Sequence, residues 1–307
     1  MLKKLTVILL LVIALSSCST EQKRKETKLN STEFVTQDMR EEKKATEIGV
    51  KSRTLTTYFY EPDAKLNDLG YVVEEIFYDE IGNKAVQIRY AAGGLIDLQY
   101  EWHYDDDGNM RYSRTTDMYG KELYYRESEY NYEGDEIKRE EREKKGSDEL
   151  ETLFTYDENK LLTEKLLRKA KGSVVTRTVY TYSDSNIIHL QNFDVNGKLK
   201  DERLYTYDSL GYVDTELLKQ GEHFSNKTDY KFDSAGRVLE IDEGYFRRTF
   251  IYNQNGDVLE EYAYNQDGFL QQKLIFEYNE KGLIKSRIKT DGEETPVIFT
   301  KYEYEFF

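Results

Sequence analysis

An aromatic phrase returns along this chain about every 26 residues, and a fixed period of that length marks a repeat architecture. The phrase is aromatic-x-aromatic, then Asp or Asn, two loose positions and Gly. Copies include Trp102-His103-Tyr104-Asp105 with Gly108, Tyr205-Thr206-Tyr207-Asp208 with Gly211, and Tyr230-Lys231-Phe232-Asp233 with Gly236. Further copies are Phe250-Ile251-Tyr252-Asn253 with Gly256 and Phe276-Glu277-Tyr278-Asn279 with Gly282. Tyr262-Ala263-Tyr264-Asn265 with Gly268 follows the same rule, as does Tyr78-Asp79 with Gly82.

Each part of the phrase has a mechanical meaning. Residues two apart on a strand share a face, so Tyr205 and Tyr207 stand side by side. Asp suits the first position of a type I turn, where its carboxylate accepts backbone N–H groups. The glycine three places on takes positive φ, as in a hairpin closed by a glycine bulge. An aliphatic residue two after the glycine starts the return strand: Met110, Val213, Val238, Val258, Leu270 and Ile284. Each should face a phrase aromatic, a pairing that contributes about 0.2–1 kcal/mol. A second glycine series, including Gly94, Gly120, Gly172 and Gly197, lies between the phrases. A turn therefore falls about every 13 residues, which leaves strand-length intervals rich in Tyr, Thr, Val and Ile.

The reading is an all-β chain: a long antiparallel meander of about 18–20 strands built from ~26-residue hairpin repeats. Charged residues make up 34% of the chain, so one large apolar core is hard to fill. A coiled or elongated sheet is expected, as an open spiral or a narrow sandwich, since twist disfavours a flat ribbon.

Residues 1–17 have the shape of a secretion signal: Lys3 and Lys4, then an apolar run too short to span a bilayer. The run ends Leu15-Ser16-Ser17-Cys18, which resembles the lipobox of bacterial lipoproteins. The resemblance implies cleavage before Cys18 and acylation of that cysteine, with the acyl chains holding the protein to a membrane. Ser19, rather than Asp, follows it and leans toward the outer membrane. Cys18 is the only cysteine, which excludes a disulfide framework. Residues 18–54 read as a polar tether, with a short helix at Met39 to Ile48 as its one structured stretch. The repeats then occupy 55–307.

Tyr78-Asp79 with Gly82-Asn83, Tyr104-Asp105 with Gly108-Asn109, and Phe232-Asp233 with Gly236-Arg237-Val238 resemble YD repeats of the Rhs type. The resemblance spans about Tyr58 to Tyr304. It implies coiled β-sheets, which in that family form shells around a toxic C-terminal domain. Here the period is longer, only Pro62 and Pro296 are present, and the repeats reach the last residue, so no toxic domain is expected.

The formal net charge of −15 argues against nucleic-acid partners. His103, His189 and His223 show no metal-ligand spacing and read as surface residues. Asp105-Asp106-Asp107-Gly108-Asn109 lacks the distal Glu of a calcium loop and reads as an acidic turn. No nucleophile elbow and no phosphate loop occurs. The expectation is a lipid-anchored, non-catalytic envelope protein, with no cofactor or metal, that presents a repeat surface to protein partners. The alternative is a glycan-binding module using exposed tyrosine ladders. A cryptic carboxylate-based hydrolase would sit in an irregular repeat, near Tyr132-Glu133-Gly134 or between Gly236 and Gly256.

Overall fold

The computed structural model describes residues 37–63, 65–143, 148–170, 172–221 and 223–307. The signal segment, Cys18 and the tether up to residue 36 lie outside the described residues. The chain opens with helix α1 (Gln37–Glu47). The first ten strands are β1 (Val50–Phe59), β2 (Tyr71–Tyr78), β3 (Lys84–Tyr90), β4 (Ile96–Tyr104), β5 (Met110–Asp117), β6 (Glu122–Tyr130), β7 (Glu136–Arg142), β8 (Leu150–Tyr156), β9 (Leu162–Lys169) and β10 (Val174–Ser183). The rest are β11 (Asn186–Phe193), β12 (Leu199–Tyr207), β13 (Val213–Gln220), β14 (His223–Phe232), β15 (Val238–Asp242), β16 (Phe246–Tyr252), β17 (Val258–Asn265), β18 (Leu270–Tyr278), β19 (Ile284–Thr290) and β20 (Pro296–Phe306).

Every strand pairs antiparallel with its neighbours in sequence, and β1 pairs with both β2 and β20. The meander is therefore closed into a 20-stranded barrel. This corrects the expected coiled or elongated sheet. Two features explain closure. First, a register shift sits beside the phrase aromatic in hairpin after hairpin, as at His103/Tyr104, Thr206/Tyr207 and Glu277/Tyr278. Each such bulge adds twist and bends the sheet the same way. Second, β1 stands outside the phrase pattern and bridges the two ends, pairing from Val50↔Phe306 to Phe59↔Ile298. The strand starts at Val50, not at 55, and α1 packs on the barrel, so residues 37–54 belong to the folded body.

The bulges also explain why apolar alternation looked broken. The residue two after the glycine faces the phrase aromatic, as in Tyr104↔Met110 and Tyr252↔Val258. Beyond the bulge, the residues five and seven after the glycine share that face. Phe276↔Arg287 and Leu274↔Lys289 follow from Gly282 in this way.

The phrase face is the lumenal one, except in the copy at Tyr262 and Tyr264, whose partners Thr249 and Arg247 put both rings on the outer wall. Helix α1 touches the turn between β16 and β17 through Arg40 and the turn between β2 and β3 through Thr46. Those turns are six strand spacings apart, about 29 Å along the wall. Arg40 and Thr46 are only about 9 Å apart along the helix. Side chains can close that gap only on the concave side, where neighbouring strands converge. The opposite, outer face carries Lys138 and Glu140 in mid-strand and Arg142 at the end of β7. Each Lys or Arg facing acyl chains there would cost about 2–4 kcal/mol, so this wall does not face lipid.

Candidate functional site

The turns that follow the phrases share one geometry. Asp105 Oδ1 accepts the N–H groups of Asp107 (3.0 Å) and Asn109 (2.8 Å), and Gly108 N donates to the Asp105 carbonyl. Asp79, Asp208 and Asp233 accept in the same pattern, as do the side chains of Asn253 and Asn279. Gly82, Gly108, Gly211, Gly236, Gly256 and Gly282 all have positive φ. Two turns depart from the glycine rule. Lys160 (φ 63) fills the glycine place after β8. Asp184 and Ser185 both take positive φ in a two-residue turn after β10, ahead of Asn186. Asp105 spends its acceptors on its own loop, and no metal-ligating cluster of His, Cys, Asp or Glu is found among the described residues.

The phrase tyrosines form a ladder. Tyr104 Oη donates to the Lys84 carbonyl (3.0 Å), Tyr130 to Met110 (3.0 Å), Tyr156 to Glu136 (2.9 Å) and Tyr182 to Leu162 (2.8 Å). Tyr207, Tyr252, Tyr278 and Tyr304 continue it to Ile187, Val238, Val258 and Ile284. Each rung ties one hairpin to the one before and contributes about 1 kcal/mol. Phe232 has no hydroxyl and omits its rung. Tyr78 is buried with its hydroxyl unpartnered among the described residues. Its neighbour β1 is entered from α1 rather than from a phrase turn, so no matching carbonyl is offered. Burial pushes the Tyr78 hydroxyl up to about 12. The ladder is thus structural, and its hydroxyls are not free for sugar.

Helix α1 seats on the seam formed by β16–β20 and β1–β3. Glu41 is 2% exposed and accepts from Ile284 N–H (3.2 Å) and Tyr304 Oη (3.3 Å). Burial pushes its carboxyl up, against the pull of the Ile284 N–H, Arg53 and Lys44. Lys44 pairs with Asp257, donates to the Gly282 carbonyl (3.0 Å) and lies over Tyr278. Ala45 closes an apolar cluster with Val50, Ile76, Tyr78 and Leu283, and a second cluster of Val258, Phe276 and Ile284 adjoins it.

Two half-buried carboxylates lie near the irregular repeats, Glu136 and Glu216. Near Tyr132-Glu133-Gly134, Glu136 is bound by Arg139 (2.6 Å), Ser128 (2.6 Å) and Arg126 (3.2 Å). Burial pushes Glu136 up, and those partners more than reverse it. Glu216 on β13 is raised by burial despite Arg203 at 3.3 Å. The shortened repeat contains the five-residue β15, and its rung to Val238 spans 14 residues instead of 20. His103 is exposed and stacks on Tyr112 (4.1 Å), and His189 Nε2 lies 2.6 Å from Glu202 on the outer face. The side chain of His223 lies outside the described residues.

Three lumenal cations escaped the sequence reading: Arg89 on β3, and Arg287 and Lys289 on β19. None has a hydrogen-bond or ion-pair partner among the described residues. The missed signal was arithmetic. They stand five or seven places after Gly82 or Gly282, the positions a bulge turns inward.

No family model and no curated protein matches this chain. Among solved structures it is similar to a porin-like protein from Bacteroides uniformis, 9% identical over 83% of this chain and 98% of that one, with a TM-score of 0.39. It is also similar to the Tc holotoxin pore of Photorhabdus luminescens, 14% identical over 73% of this chain at a TM-score of 0.28. The chain spans only 15% of that toxin chain's length. A DUF1329 family protein from Desulfovibrio piger is 12% identical over 88% of this chain and 90% of that one, at 0.26. Likeness at these scores carries no conclusion about activity.

Proposed function

We propose that this chain is a lipid-anchored protein of the bacterial cell envelope that binds or scaffolds rather than catalyses. The observation that carries this is the state of its reactive groups. Ladder hydroxyls donate to backbone carbonyls, turn carboxylates cap their own loops, and outer charges pair across strands, as Arg114 with Glu101 and Lys231 with Glu240. A catalytic group needs a partner it can exchange with a substrate, and these are already committed. Support for the anchor comes from the Leu15-Ser16-Ser17-Cys18 resemblance. The 18 residues between Cys18 and Gln37 would separate the anchor from the barrel. The closed, acidic outer wall then faces protein partners.

Two measurements test this. Metabolic labelling with a palmitate analogue should mark the wild-type chain and not Cys18→Ser, and equal labelling of both removes the anchor. Crosslinking in intact envelopes should capture discrete protein partners. A measured turnover on envelope substrates with no captured partner would overturn the scaffold reading.

A further inference from the structure

The seam has a second end. Away from α1, the lumenal faces of β1 and β2 present Phe59 (50% exposed) and Tyr71 (43% exposed). Their place on that face follows from the registers Phe59↔Ile298 and Thr57↔Tyr71. The two rings lie 6.4 Å apart and tilted. Arg89 flanks this pair from β3, and Lys289 and Arg287 flank it from β19. The flanking cations are four strand spacings apart, about 19 Å along the wall.

Many strand cations pair with acids, as Lys273 with Glu260 (3.1 Å) and Arg203 with Glu216 (3.3 Å). Arg89, Arg287 and Lys289 have no such partner among the described residues, in a chain whose net charge is −15. Among the described residues, Thr300 Oγ1 is a buried atom without a hydrogen bond, and Thr300 stands between Arg287 and Thr57 on this stretch of wall.

We propose that the lumenal wall at the seam is a binding site for an acidic sugar chain. Phe59 and Tyr71 offer ring faces to the sugar, and Arg89, Arg287 and Lys289 take its carboxylates. A peptide strand has no such footing, because a closed barrel offers no free edge for β-addition. This goes beyond the scaffold reading, which concerns the outer surface, and the two fail separately.

The test is calorimetric titration of the full acylated chain in detergent with an oligogalacturonate. Poly-glutamate and a neutral dextran are the comparison probes. The uronate should bind, weaken as salt rises, and outcompete both comparison probes. Arg89→Gln with Lys289→Gln should reduce affinity at least tenfold with an unchanged thermal midpoint, since neither side chain has a partner to lose. Phe59→Leu, which keeps the charges, should also weaken binding. Lys231→Gln on the outer wall should not. Absence of uronate binding, equal binding by the charge variants, or equal binding of poly-glutamate each overturns the proposal.

Discussion

The seam and the far wall are made from the same hairpins under different cover. At the seam, α1 lies over the lumenal face, and the two buried apolar clusters form there. Across the ring, around β6 to β12, the same tyrosines are half-buried and look into the lumen. Cohesion there comes from ladder rungs and ion pairs such as Arg126–Glu136–Arg139. The comparison teaches that the repeats need no conventional core to close, but that the closing joint has one.

The largest expected effect sets two hairpin glycines against each other. Gly82 and Gly108 have similar positive φ, but a Cβ on Gly82 would meet Thr46 of α1 at 2.4 Å, while Gly108 faces open space. Gly108→Ala should cost about 1 kcal/mol for its backbone conformation alone. Gly82→Ala adds displacement of the helix, for about 3 kcal/mol in urea unfolding. Equal costs would show that the helix does not seat there.

Next is Glu41→Ala, which strips the acceptor from Ile284 N–H and Tyr304 Oη. It should destabilise by about 2 kcal/mol. Hydrogen exchange should localise the loss to the turn between β18 and β19, not to the far wall.

Removing a ladder hydroxyl separates the regions again. Tyr130→Phe on the far wall should cost about 1 kcal/mol, whereas Tyr78→Phe at the seam, whose hydroxyl has no partner, should be neutral or stabilising. A loss at Tyr78 matching that at Tyr130 would mean the seam hydroxyl is satisfied after all.

The smallest effect is in pH. Glu41 titrates above its unfolded value of 4.5, so its stabilising share is full below that value and is lost as pH rises through its folded pKa. The outer Glu202 runs the other way. His189, then Lys219, hold it below 4.5, so its share is present above that value and lost as pH falls. Amide exchange at Ile284 should therefore slow as pH is lowered toward 4.5, after correction for intrinsic rates. Glu41→Gln should flatten that dependence.

Much of this was legible from residues. The i, i+2 spacing of Tyr205 and Tyr207 placed both on one face, and the opposition of Met110 to Tyr104 followed from the turn alone. The rungs were not legible, because a hydroxyl's acceptor lies on another strand and depends on bulge geometry. Nor were Arg287 and Lys289, since simple alternation from Ile284 assigns them to the wrong side. The docking of Glu41 was beyond reach, as its partners lie 243 and 263 residues away.

Local chemistry, repeated every two strands, determined by itself that this chain is an antiparallel meander of hairpins with an aromatic side. Whether that meander stays open is a question about its two ends, which local chemistry does not address. The tertiary structure decided it through β1, which meets β2 and β20 at once, and through α1, which clasps the joint. Closure depends on curvature summed over twenty strands, and a sum of small bends is visible only when the ends meet.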